Sequence, residues 1–203
     1  MAYFNYYTIQ TVYKRWLDSM AGRPSSRDVI IGAAEKLVAE QGAAHLTFDA
    51  LCQETGISKG GLLYHFANKD ALLAAMLERM VAQFDQLRAH FRDQLNDDPR
   101  KELKSILLAS LNSDAECAQL SSGMLAVAAN NPELLEPLQS HVRQTFETIK
   151  NATADSQLAE LLFFSVHGAR LFEQLQLCQH CQADREQFAQ KLMVLVDSIG
   201  DTD

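Results

Sequence analysis

Residues 46–73 read LTFDALCQETGISKGGLLYHFANKDALL, and the placing of small, turn-forming and apolar residues in this stretch decides the fold. Two short helices that cross steeply need a small residue in the first where the second approaches, a flexible residue at the turn and an apolar residue just after it to plug the angle. Cys52, Gly56 and Ile57 supply these in that order. Thr47 is a good cap for the first helix and Ser58 for the second, while Asn68 suits the start of a third. Leu62 and Phe66 fall about one turn apart and should face a core together with Leu51. That leaves Lys59, Gly60, Leu63, Tyr64 and His65 on or near the outward side, an unusual set for a plain solvent face.

Such a set fits a helix that enters a groove of duplex DNA. Glycine lets the backbone approach phosphates, and Tyr or His can contact sugar, phosphate or a thymine methyl. The helix starts at Thr47, Ser58 and Asn68 present free N–H groups, which suit phosphate. Lys69 sits at one of these starts, where the helix dipole favours an acid; a phosphate partner accounts for a cation there.

The run ISKGGLLYHFANKDALL resembles the signature of the tetracycline-repressor (TetR) family over about residues 26–75. The resemblance implies phosphate contacts from Thr47 and Lys69 and a recognition surface made of Lys59, Gly60, Gly61, Leu63, Tyr64 and His65. Family members often carry an aromatic where this chain has Leu63, so that side chain either reads bases or packs.

Upstream, Ser25 or Ser26 should start a helix that Pro24 keeps from extending backwards. Val29, Ile30, Ala33, Ala34, Leu37 and Val38 repeat at helical spacing until Gly42. Residues 1–20 hold six of the aromatics (Tyr3, Phe4, Tyr6, Tyr7, Tyr13 and Trp16) without a clean period. They are either an upstream extension ahead of Met20 or an arm that packs on the head or reaches a groove through Lys14 and Arg15.

Downstream of Asn68, an apolar stripe through Leu72, Leu73, Met76, Leu77, Met80, Val81 and Phe84 describes one long helix toward Leu95. Asn96-Asp97-Asp98-Pro99 breaks it. Further helices are expected over about 99–113, 115–130, 132–152, 155–178 and 184–199. The expectation is an all-α protein of about nine helices: an extension (1–20), a three-helix helix-turn-helix head (21–70) and a helical-bundle body (71–203) for dimerisation and effector binding.

Two apolar faces near the end, Leu158, Leu161, Leu162, Ser165, Val166, Ala169 and Phe172, then Phe188, Leu192, Leu195, Val196 and Ile199, are broader than one core contact requires and suggest an interface. The family resemblance implies that these helices pair across a two-fold axis as a homodimer. It also implies an effector pocket, for which Met76, Met80, Phe84, Met124, Val127, His141, Phe146, Phe163, His167 and Arg170 are candidates. A buried His or Arg needs a partner, which a ligand carboxylate or a polar network at the dimer interface would supply.

The chain has 203 residues, 47% of them hydrophobic, which is enough for a real core. Its net charge of −8 is unevenly spread: residues 21–70 carry five basic against six acidic side chains, so most of the negative charge lies in the body. Contact with DNA therefore has to come from a few placed cations, which favours specific docking over general adhesion. Four cysteines at 52, 117, 178 and 181 are too sparse for a disulfide framework, and with no secretion signal a cytoplasmic location is expected. No stretch is apolar enough to cross a bilayer.

Cys178-Gln179-His180-Cys181 could form a thiol switch or bind a metal, but it lacks the second half of a closed zinc site. No metal, cofactor or catalytic constellation is expected. The expected partners are an inverted-repeat DNA duplex, a second copy of the chain and a small apolar or amphipathic effector. The rival readings are a DNA-binding activator or nucleoid or cell-division factor without a ligand and, more remotely, a thiol-based redox sensor.

Overall fold

The computed structural model describes residues 24–111, 131–175, 177 and 185–199, and among these it is all helical. The helices are α1 (Ser26–Gln41), α2 (Phe48–Thr55), α3 (Lys59–His65), α4 (Lys69–Gln94), α5 (Lys101–Leu111), α6 (Glu136–Ala152), α7 (Ser156–Gln174) and α8 (Arg185–Ser198). Two 3₁₀ turns, Ala43–His45 and Pro132–Leu135, complete the order. The expected extension 1–20, the helix at 115–130 and the Cys178–Cys181 pair lie outside the described residues.

The described residues fall into two compact units. The head unit comprises 24–81 with 131–139, and the body unit 82–111, 140–175, 177 and 185–199.

Local chemistry fixes the ends of the head helices. Ser25 caps α1 reciprocally: its Oγ accepts from the Asp28 N–H at 3.2 Å, and Asp28 Oδ2 accepts from the Ser25 N–H at 3.2 Å. Gly42, at φ 85°, ends α1 in a conformation that L side chains rarely adopt. The expected apolar face of α1 is slightly rotated, since Ile31 is buried and Val29 is exposed. Pro132 opens a 3₁₀ turn, so the helix expected from 132 becomes α-helical only at Glu136; Pro137, lacking an N–H, is tolerated in its first turn.

The head core gathers Ile30, Ile31, Ala34, Leu37 and Val38 of α1, Leu51 of α2, Leu62 and Phe66 around α3, and Leu72, Leu73, Met76 and Leu77 of α4. Leu134 of the second 3₁₀ turn joins the same cluster, and Asn131 Nδ2 donates to Asp70 Oδ2 at 3.3 Å. One acid, Glu35, is half-buried beside this core. Glu35 is 17% exposed, and its carboxylate lies 3.7 Å from Arg79 Nε. Its Oε1 has no hydrogen-bond partner among the described residues.

Burial pushes the Glu35 carboxyl above its ordinary value, and Arg79 only partly opposes the shift. A carboxyl whose pKa is raised by folding favours the folded state at acid pH, and that contribution is lost as pH rises through the raised value. Ionised Glu35 therefore works against the fold at neutral pH. Glu35→Met is expected to raise stability by about 1 kcal/mol at neutral pH, because Arg79 is partly exposed and still donates to the Asp28 carbonyl. The gain should shrink toward the ordinary carboxyl range. Thermal melts at the two pH values check this; a variant less stable at both contradicts it.

In the body, every residue from Leu103 to Leu111 is buried, so α5 is its central element. Around it pack Ile149 of α6, Ala159, Leu162, Phe163 and Val166 of α7, and Leu192, Val196 and Ile199 at α8. Lys104 lies on this buried helix because its ammonium reaches both Asp98 and Asp197 at 2.6 Å. Burial disfavours the charge, but the two hydrogen bonds outweigh it and hold the Lys104 pKa above the usual lysine value.

Candidate nucleic-acid interface

The α2–turn–α3 segment is built by three local devices. The Thr47 hydroxyl oxygen accepts from the Ala50 N–H at 3.1 Å and starts α2. Gly56 ends that helix in the left-handed region at φ 70°, its N–H donating to the Cys52 carbonyl. Ser58 Oγ accepts from the Gly61 N–H at 3.2 Å and starts α3. Thr55 steadies the turn from within, donating to the Leu51 carbonyl at 2.6 Å and accepting from the Ile57 N–H at 3.2 Å. Leu51, Leu62 and Phe66 point into the core, with Cys52 and Ile57 packed against it.

The opposite side of α3 is open. Tyr64 is 86% exposed, the most exposed large hydrophobic side chain among the described residues, and Leu63 is exposed beside it. Leu63 thus lies on the outer surface, not in the core. The Tyr64 and His65 rings meet edge to face with centroids 5.2 Å apart, and His65 is half-buried.

The two adjacent glycines differ in kind. A Cβ on Gly61 would lie 2.8 Å from Ile57 Cγ2, so Gly61 makes room for the plug of the turn. A Cβ on Gly60 would meet nothing within 4 Å. No packing within the head requires glycine at position 60.

Among the described residues, Arg27, Lys36, Lys59 and Lys69 each have a partner within the head. Lys59 Nζ lies 3.0 Å from Asp49 Oδ1, and Lys36 Nζ lies 2.7 Å from Glu54 Oε1. Arg27 sits over the Phe66 ring at 5.3 Å and 3.9 Å from Glu78. Lys69 donates to the Ala43 carbonyl at 3.0 Å, tying the start of α4 to the first 3₁₀ turn. The role of Asp49 was not visible in the sequence, since its partner is ten positions away across a turn.

The residues expected in an effector pocket separate. Met76 is buried in the head core and Met80 packs against it. Met124 and Val127 lie outside the described residues. In the body, Phe146 meets Phe163 at 5.2 Å between centroids, and Phe163 stacks on His167 at 4.0 Å. Arg170 of the same helix donates to the Ser110 carbonyl. Phe84 meets His141 at 5.0 Å, and His141 Nδ1 lies 3.5 Å from Asp85. Burial holds His141 below the usual histidine value although Asp85 opposes it, and Arg88 adds to the depression.

The residues expected at an interface divide between the body's own core and its surface. Leu162, Val166, Leu192, Val196 and Ile199 are buried in the body's own core and so form no open face, and Leu158 and Phe188 are half-buried against them. The exposed apolar stripe on α7 overlaps the expected one only in part: Leu161 (63%) and Phe172 belong to both, and Phe164 (57%), Leu171 and Leu175, continued by Leu177, are additional. Val194 and Leu195 are exposed on α8. Of the expected face, Leu161, Ser165, Phe172 and Leu195 remain exposed and Ala169 is half-buried. The signal that finds the missed residues is the 161–164–168–171–175 spacing.

Among the described residues no cluster of three or more His, Cys, Asp or Glu could hold a metal ion, and no helix is long and apolar enough to cross a membrane. Cys52 is a free, half-buried thiol.

Two family models match this chain. One, described as bacterial regulatory proteins of the tetR family, covers residues 30–76; the other, a tetracyclin repressor-like C-terminal domain, covers residues 100–197. The chain is similar to the HTH-type transcriptional regulator BetI of Stenotrophomonas maltophilia, with 30% identity over 41% of this chain, a match that spans only 43% of that relative. Similarity to the nucleoid occlusion factor SlmA of Aliivibrio fischeri is 28%, over 75% of this chain and 79% of that protein. A solved transcriptional regulator from Rhodococcus sp. Rha1 superposes with a TM-score of 0.66 at 19% identity, covering 88% of this chain and all of that one, and so shares its fold.

Proposed function

The chain belongs to the TetR family of helix-turn-helix DNA-binding regulators, and from that premise we propose that it works as a homodimeric repressor of an inverted-repeat operator, released by a small apolar or amphipathic effector. The observation that carries the reading is the outer side of α3: Tyr64 almost fully exposed, Leu63 beside it, and an open Gly60. Lys59, Gly60, Leu63, Tyr64 and His65 make the recognition surface, at whose edge Lys59 reaches a phosphate, and Thr47, Ser58 and Lys69 are assigned to the flanking phosphates. Gly61 acts by admitting the Ile57 plug. Two such heads, one helical turn of about 34 Å apart, read the two halves of the repeat.

The effector is taken up in the body, among Phe84, His141, Phe146, Phe163, His167 and Arg170. The ring contacts among Phe84, His141, Phe146, Phe163 and His167 favour an aromatic or amphipathic ligand. The ligand acts by binding one arrangement of the α4 helices better than the other. Release of DNA can be no stronger than that difference in affinity. Selection of bound duplexes from a randomised DNA pool tests the function: the expected result is an inverted repeat protected on both halves at moderate salt, and failure to enrich any repeat would overturn it.

A second reading rests on the SlmA match, which spans more of the chain than the match to BetI. Here the chain is a DNA-bound factor without a small effector. Mapping of occupied chromosomal sites separates the two: many dispersed sites favour the second reading, and one or a few promoter sites the first.

Gly60 gives a prediction of opposite signs. An alanine there meets no neighbour and restrains the unfolded chain, so Gly60→Ala is expected to stabilise the head by about 0.5–1 kcal/mol. If α3 lies against a duplex, the same methyl obstructs the backbone and weakens DNA binding. Thermal melting and a gel-shift titration check the pair, and equal or tighter DNA binding contradicts the assignment.

A further inference from the structure

Residues 24–81 carry five basic side chains against seven acidic ones, a net charge of −2 on the unit that meets a polyanion. The cation at the start of α3 is not idle: Lys59 Nζ donates to Asp49 Oδ1 at 3.0 Å, bridging the first turns of α2 and α3 across the helix-turn-helix. Both side chains are well exposed, 60% for Lys59 and 77% for Asp49. An ion pair so open to water contributes little to folding. Its consequence is electrostatic, because it places a carboxylate on the recognition side of the head and occupies the cation nearest the exposed Tyr64 helix.

We propose that Asp49 is a specificity-determining residue, an internal competitor that holds Lys59 away from phosphate until a matched sequence seats α3. The proposal rests on the DNA-binding reading of α3. In a loosely held, sequence-independent complex, Lys59 has two acceptors of similar quality, Asp49 and a phosphate. Exchanging one for the other then gains little, and the Asp49 charge is left facing the DNA. Non-specific affinity comes almost entirely from released counterions, so the loss of one phosphate contact is felt most there. In the seated complex, base and backbone contacts from the rest of α3 fix the distance and make the exchange favourable. The pair thus suppresses binding to random DNA more than binding to the operator, which matters for a head with so few cations.

The test uses the full-length chain and two fluorescein-labelled duplexes, one of mixed sequence and one carrying the repeat enriched from the randomised pool, titrated by anisotropy over a series of salt concentrations. For Asp49→Asn the mixed-sequence duplex should bind about fivefold tighter, with a slope of log affinity against log salt steeper by about 0.9, the value of one added phosphate contact. The enriched duplex should gain less, so that selectivity falls. In a Lys59→Met background the Asp49→Asn gain should largely vanish, which separates release of Lys59 from mere removal of a repelling charge. Melting curves establish that the variants are folded. Unchanged affinity and slope in Asp49→Asn, or a gain that persists undiminished without Lys59, overturns the proposal while leaving the DNA reading intact. A wild-type chain that binds neither duplex overturns both.

Discussion

Leu161→Glu together with Phe164→Glu is expected to give a folded monomer. Both side chains stand on the outer stripe of α7, more than half exposed, in a run continued by Leu171, Phe172, Leu175 and Leu177 and accompanied by Val194 and Leu195 on α8. So many large apolar side chains exposed on two helices are uncommon on a chain that stays alone in water. In the proposed homodimer a two-fold pairing would bury these side chains against their copies, so each substitution would be made twice and like charges brought together near the axis.

Burying unpaired carboxylates costs several kcal/mol, enough to weaken dimerisation by at least about a hundredfold. Operator affinity should fall with it, since the second head no longer benefits from the first being bound. Sedimentation velocity reads the first effect and a gel shift on the enriched repeat the second, while circular dichroism should stay unchanged. Leu162→Glu is the contrasting control: one position along, it is buried in the body's own core and should unfold the chain instead. A double variant that sediments as a dimer would remove the α7 stripe from the interface.

Tyr64→Ala should weaken operator recognition strongly while leaving stability almost unchanged. The side chain is so exposed that its loss is expected to change unfolding free energy by less than about 0.5 kcal/mol. Each well-made contact to a base or its edge contributes about 1–3 kcal/mol, and a dimer loses it in both halves, so affinity for the repeat should drop by at least about thirtyfold. Binding to mixed-sequence DNA should fall far less, because a neutral phenol neutralises no phosphate. Leu62→Ala, two positions earlier and facing the core, should do the reverse first: it leaves a cavity costing about 2–5 kcal/mol and loses DNA binding only through loss of the folded head. Equal affinity of wild type and Tyr64→Ala for the enriched repeat would mean that α3 does not read bases through this ring.

The sequence alone determined where the head's helices begin and end, because caps and breakers act on their nearest neighbours. Ser25, Thr47 and Ser58 each close a hydrogen bond three residues away, and Gly42 and Gly56 take up positive φ. The outward placing of Tyr64 followed too, since Leu62 and Phe66 leave only one way to turn so short a helix. Tertiary structure decided the rest. Helix α7 carries two apolar stripes one position apart, and composition cannot say which meets α5 and which meets solvent, because either would bury comparable area; the packing of Leu162 and Val166 settles it. Pairings such as Asp49 with Lys59, Glu35 with Arg79 and Asp85 with His141 join residues on different helices, and so depend on how those helices cross, a geometry that no local spacing encodes.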